Sequence, residues 1–308
     1  MDLAFLSGWL GSVPLAAMPL LLACVGLILS ERAGVVSLGI EGYLAMGAMT
    51  SAVLILQGAP VWLGVAAAML AGMLLALGFG VAVVLMRAEQ VLAGLATMAI
   101  GLGLAGLLGR SQVHRPFEGL APLDVGALAG LPLIGPLLFR QDALTYGALA
   151  LCLLLGWALA HTRLGLRIRA VGEDPATADV AGVNVPLHQL LAVACCGALG
   201  GLAGAYLSVV ASNVWVENMV AGRGWIALAL VIFARWSPVR AIFGAFFFGA
   251  VEALLPRLQA IGWEAPVYLM GMLPYALTIL VLAISACRAG HAQEPAALGV
   301  AYLRQDRR

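Results

Sequence analysis

Residues 161–186, HTRLGLRIRAVGEDPATADVAGVNVP, make a long polar interruption between two apolar runs, Leu144–Ala160 and Leu187–Val210. Each run is long enough to cross a hydrocarbon core of roughly 30 Å at about 1.5 Å per residue. Arg163, Arg167 and Arg169 crowd the start of the interruption. Arginine density of that kind marks the cytoplasmic side of a membrane protein. Asp174 suits an N-cap, Pro175 the first helical position and Gly182 a left-handed stop. The spacing therefore predicts a helix of about two turns, Pro175–Ala181, too short to persist alone in water. Such a helix has to pack on its own membrane domain or on a partner, and we read it as the place where the chain receives a mechanical input.

Composition agrees with a membrane setting. Of 308 residues, 63% are hydrophobic and 10% charged, and mean hydropathy is +1.04. A soluble domain carries about a quarter charged residues. The apolar runs are continuous rather than alternating, which excludes a β-barrel. The expected fold is all-α: one polytopic transmembrane bundle over residues 1–308, with about nine segments (eight to ten), some broken or half-length. Asp2 and the absence of an early basic cluster argue against reading the first apolar run as a cleaved signal peptide. Cys24, Cys152, Cys195, Cys196 and Cys287 lack metal-ligand spacing and read as small hydrophobes. No cofactor or metal site is expected, and no basic stripe supports nucleic-acid binding.

In chain order, the expected spans are Val13–Leu29, Gly34–Leu56, Val61–Met86, Val91–Leu108, Leu144–Ala160, Leu187–Val210, the half-length Trp225–Phe233, Ala241–Leu255 and Val267–Ala286. Residues 109–142, with Pro116, Pro122, Pro132 and Pro136, read as an external loop region, and residues 288–308 as a cytoplasmic tail. Placing residues 161–186 inside puts Arg32, Arg87, Arg163, Arg167, Arg169, Arg235, Arg240, Arg288, Arg304, Arg307 and Arg308 inside. Arg110, Arg115, Arg140, Arg223 and Arg257 then fall outside. That bias gives an outside N-terminus and a cytoplasmic C-terminus.

The chemistry-bearing residues are few. With no lysine in the chain, a G-x-x-x-x-G-K-[ST] nucleotide loop is excluded. Ser37 has no deep histidine to serve it, so a serine hydrolase finds no base. An enzyme is not expected. Glu41 and Glu252 fall inside apolar spans, where an ionised acid is costly and by default functional. Backbone donors in a broken helix would satisfy either one equally well. Glycines break the second span, and a half-length segment follows Gly222-Arg223-Gly224 at a corresponding place in the second half. Paired interruptions of this kind point to a translocation path, although glycines also serve close helix packing. Ser37, Glu41, Asn213, Asn218, Arg223 and Glu252 are the candidate pathway residues, with Asn213, Glu217, Asn218 and Arg223 at an external mouth.

Three stretches carry a family resemblance: residues 31–42 (ERAGVVSLGIEG), residues 170–184 (AVGEDPATADVAGVN) and residues 222–233 (GRGWIALALVIF) followed by Trp236-Ser-Pro238. In this order they resemble the permease subunits of bacterial ABC importers for simple sugars, branched-chain amino acids and nucleosides, most closely the nucleoside and purine branch. Ser37 stands where asparagine is common in that family. The resemblance implies a bacterial inner-membrane permease that imports nucleosides or purines by alternating access. Simple-sugar or branched-chain amino acid import is the alternative within the family. Implied partners are cytoplasmic ABC ATPases, a second homologous permease (the same or a different chain), an external substrate-binding lipoprotein or periplasmic protein, and membrane lipid. The 161–186 segment becomes the ATPase-coupling loop, with Arg167, Glu173, Asp174, Pro175, Ala178, Asp179 and Gly182 as its working residues. An ion-coupled secondary transporter is the rival outside the family, and it would want midplane acids that are scarce here.

Overall fold

The computed structural model describes residues 3–123, 134–260, 272, 276–280, 283 and 294–302. The helices are α1 (Leu3–Arg32), α2 (Ile40–Leu56), α3 (Val61–Gly80), α4 (Gln90–Gly109), α5 (Ala143–His161), α6 (Arg163–Glu173), α7 (Pro175–Val180), α8 (Val185–Tyr206), α9 (Arg223–Phe233) and α10 (Pro238–Ala260). π-helical turns at Val81–Leu85 and Leu207–Ser212 extend α3 and α8. Among the described residues, six helical stretches are long and apolar enough to cross a membrane, and α2 and α9 are shorter apolar helices. The expected span Val267–Ala286 lies mostly outside the described residues.

Three expectations on element bounds need correction. The second span does not begin at Gly34. Residues 33–39 are irregular and helix starts only at Ile40, with Gly34 at φ +85°. The first helix is longer than Val13–Leu29 and carries Pro14 and Pro19 internally, an arrangement that membrane helices tolerate where neighbouring helices re-satisfy the freed carbonyls. The polar stretch 161–186 holds two helices rather than one. Its arginine-rich start folds as α6, capped by Thr162, whose hydroxyl accepts from Gly165 N–H at 3.1 Å. α6 has Leu164, Ile168 and Val171 one turn apart on one flank, the spacing of an amphipathic helix.

α8 runs through the middle of the bundle, with α1, α2 and α3 against it. Glycines make this possible. A Cβ on Gly204 would overlap Leu44 O, one on Gly47 would overlap Gly201 O, and one on Gly72 would overlap Gly197 O. Close backbone approach through small residues is how membrane helices gain van der Waals contact without a hydrophobic drive. Between α2 and the end of α8, the Ser51 and Ser208 hydroxyls share a buried hydrogen bond of 2.8 Å. Beside it, Asp142 caps α5 and accepts from the Thr145 hydroxyl, which lies 2.6 Å from Tyr206 Oη.

The segment after α4 folds over the segment after α8. His114 N–H donates to Trp215 O at 2.9 Å and Phe117 N–H to Asn213 O at 3.1 Å. Residues 213–222 form an irregular stretch, pinned at Asn213 and Trp215, that leads into α9, whose 11 residues rise about 16 Å, half a hydrocarbon core.

Candidate functional site

The capped polar helix at one end of the bundle matches its expected geometry. Asp174 Oδ1 accepts from the N–H groups of Ala176 and Thr177, both at 3.0 Å. Pro175 occupies the first turn and Gly182 has φ +82°. The Thr177 hydroxyl together with those two N–H groups holds the Asp174 carboxyl below the usual carboxylate range. α7 is anchored through Ala178, which is buried with Val171 of α6 and Val185 of α8. Glu173, Asp174 and Arg167 are exposed, and Asp179 is half-buried. Val180 at the end of α7 is 90% exposed.

The described part of the tail, 294–302, packs on the same helices. Ala297 N–H donates to Gly172 O (2.9 Å) and Gly299 N–H to Gly34 O (3.1 Å). Ala296 N–H donates to Glu173 Oε2 (3.3 Å), and the Tyr302 hydroxyl to Asp179 Oδ2 (3.1 Å). Sequence reasoning missed this strap because the tail has no periodicity to mark it.

The second cluster is a junction of helix starts. Gly42 lies against the backbone of Thr97 and Met98, the middle of the 20-residue α4, so α2 begins near mid-span. There Glu41, 5% exposed, meets the N-terminus of α9. Its Oε1 accepts from Gly222 N–H at 2.6 Å and its Oε2 from Gly224 N–H at 2.7 Å. Two free amides and the positive end of the helix dipole suit a carboxylate. Glu41 thus follows the backbone-donor reading and ties two interrupted segments together. Gly222, at φ +82°, supplies the left-handed turn that aims its N–H at the acid.

Arg223 and Glu252 form an ion pair, and Arg223 Nη1 also donates to Met219 O at 3.1 Å. Arg223 was expected at an external mouth with Asn213, Glu217 and Asn218. Asn213, Glu217 and Asn218 are exposed. Arg223, with its side chain 24% exposed, bonds to the carbonyls of Met219 and Val220 next to Asn218, and its pair with Glu252 ties that stretch to α10. An intramembrane arginine pairs for the reason that makes it rare, its desolvation cost. Ser37 is fully buried, and its hydroxyl lies 3.0 Å from Tyr43 Oη.

Glu31, the first residue of the 31–42 stretch, is a further acid that the sequence did not single out. It is buried and accepts from Trp236 Nε1 at 2.6 Å, while Arg32 donates from Nε and Nη2 to Trp236 O at 3.3 Å. The pair clamps the α9–α10 turn, where Arg235 and Trp236 both take positive φ. Trp236 between Arg235 and Arg240 was the available signal, because an indole in a basic turn needs an acceptor once buried.

Long apolar helices around a mid-span break, with a capped polar helix pair at one end, define a multi-pass membrane permease. The chain belongs to the family described as branched-chain amino acid transport system / permease component, whose model matches residues 10–282. It is 36% identical to a putative glucose ABC transporter permease of Haloferax volcanii, over 98% of this chain and 99% of the relative. It is 35% identical to a guanosine ABC transporter permease of Bacillus subtilis, over 94% and 95%. A nucleoside ABC transporter permease of Lactococcus lactis is 33% identical, over 93% of each chain. The motif resemblance and the full-length matches agree on the family.

Proposed function

We propose that this permease imports nucleosides or purines, driven by separate ATPase chains that dock on α7. In this reading the α6–α7 end faces the cytoplasm, the N-terminus lies outside, and the protein sits in the bacterial inner membrane beside a second permease. An external binding protein delivers solute toward Asn213 and Asn218. The observation that carries the coupling assignment is the geometry of α7: a capped helix too short to be stable alone, anchored by Ala178, with Val180 fully presented. Movement of the ATPases would press on α7 and, through α6 and α8, bias the bundle between two packings. Two full-length relatives named for guanosine and nucleoside transport favour the nucleoside reading.

Sugar import is the second reading, favoured by the relative named for glucose. Proteoliposomes holding the permeases and ATPases, supplied with the binding protein, distinguish the two. ATP-dependent uptake of labelled guanosine that excess glucose leaves unchanged supports the nucleoside reading, and the opposite pattern supports sugar. Uptake by this chain alone, without ATP, would sink the coupling assignment.

A further inference from the structure

Three helical spans end around one cleft of about 270 Å³. It lies among the last residues of α1 and α5, the middle of α6 and the first turn of α10, and Arg32, Arg169 and Arg240 all line it. Among the described residues, no carboxylate is part of its lining. Two of the guanidiniums are held in place by neutral carbonyl oxygens: Arg32 by Trp236 O at 3.3 Å and Arg169 by Ala160 O at 3.4 Å. Glu173, half exposed, stands 4.0 Å from Arg32, and Glu31 accepts from the Trp236 indole N–H. The first turn of the 23-residue α10 completes the wall and adds the positive end of a helix dipole. Fixed guanidiniums and a helix start together describe a site for a phosphate oxyanion.

The surroundings say which phosphate. The cleft opens where spans end, at the level of a bilayer's headgroups. From it, Val239, Phe243 and Phe247 run along α10 at a spacing of four residues, 52%, 73% and 47% exposed. Residues four apart share one helix face, so an apolar track descends from the arginine cleft into the hydrocarbon. A soluble anion has no use for that track, but an acyl chain does. We propose that this cleft binds the headgroup phosphate of an anionic phospholipid, with one acyl chain laid along Val239, Phe243 and Phe247. Basic pockets between spans recognise lipid headgroups in this way. The inference uses the multi-pass architecture and the cleft, and does not depend on the transported solute or on the ATPases.

The test is native mass spectrometry of the purified full-length chain in detergent. The probes are phosphatidylglycerol and phosphatidylcholine of identical chains. Wild type is expected to retain phosphatidylglycerol about thirtyfold better, the contribution of two arginines at about 1 kcal/mol each near an anionic surface. Arg169→Gln with Arg240→Gln is expected to abolish that preference, and Phe243→Ala to lower retention of both lipids. Arg169→Lys with Arg240→Lys, which keeps the charge, should keep the preference. Equal retention of the two lipids by wild type overturns the proposal, whether or not the variants fold. So does unchanged preference in the Gln double variant. Displacement of phosphatidylglycerol by millimolar inorganic phosphate would assign the cleft to a soluble anion and also overturn it.

Discussion

Replacing Glu41 by alanine tests the junction directly. The carboxylate accepts two N–H groups, from Gly222 and Gly224, at 2.6 and 2.7 Å, and the truncated side chain would leave both without an acceptor at a buried helix start. Hydrogen bonds between membrane helices average about 0.6 kcal/mol, because the unfolded chain in the bilayer also finds partners. An ionised acceptor roughly doubles that figure. Two such bonds give about 2.4 kcal/mol, a loss of roughly 60-fold in the folding equilibrium. Glu41→Gln leaves one neutral acceptor and should recover about 0.6 kcal/mol of this. The assay is reversible unfolding in mixed micelles on titration with a denaturing detergent, followed by far-UV circular dichroism. Gly224→Ala supplies the complementary lesion, because its Cβ would stand 2.6 Å from Glu41 Oε2 and 2.9 Å from Glu41 N. Removing the acid relieves the first contact and leaves the second, so the double variant should lose less than the two single losses added. If Glu41→Ala unfolds within about 0.5 kcal/mol of wild type, or Glu41→Gln matches wild type, the carboxylate is not holding α9 and the junction argument fails.

Glycines should sort by what their missing side chain faces. Gly204→Ala drives a methyl into Leu44 O, whereas nothing lies within 4 Å of a Cβ on Gly103. The first should abolish recovery of folded protein from membranes, and the second should be neutral or stabilising by about 0.5–1 kcal/mol, read by size-exclusion chromatography and thermal melting. The Asp174 carboxyl is held below its unfolded value by Thr177 and Ala176, so the support it gives α7 is complete above that unfolded value. It is lost only as pH falls through the lower folded value. Hydrogen exchange at Ala176 and Thr177, corrected for intrinsic rates, should therefore be flat from neutral down to the ordinary carboxylate range and lose protection only below it. Val180→Glu, at a fully presented position, should cut ATP-driven uptake by about tenfold or more, since a charge that loses water against a partner costs well over about 1.4 kcal/mol. Insertion and melting should not change, and unimpaired uptake would remove α7 from the docking surface.

The long helices were legible because an uninterrupted apolar run has one physical meaning in a chain of this composition. α3, α4 and α5 fall close to their expected bounds, and the Asp174–Gly182 cap and stop were readable since each depends on side chains within a few residues. Contacts between distant residues were not. Nothing local in Glu41 distinguishes a pathway acid from a helix cap, because its partners lie 181 and 183 residues away. The Arg223–Glu252 pair was hidden for the same reason, its two members lying on different helices. α6 was hidden by its arginines, which read as loop polarity although Leu164, Ile168 and Val171 keep helical spacing. Glycines at residues 34 and 39 look like part of a span, whereas Gly34 at φ +85° cannot be continued as a right-handed helix.

The backbone-on-backbone meeting of α3 and α8 carries a mechanical corollary. Around Gly72, Gly197 and Gly201 the two helices meet backbone to backbone, with the rigid Ala76 methyl against Gly197, so there is no rotamer to adjust there if one slides along the other. A shift of one helical turn would bring Ala68, Met69 or Ala76 to where Gly72 now faces the Gly197 carbonyl. The pair therefore has one register and travels as one plank, and the shape change that lets a solute through has to be found in how α9, α10 and the elbow at Gly222 swing about it.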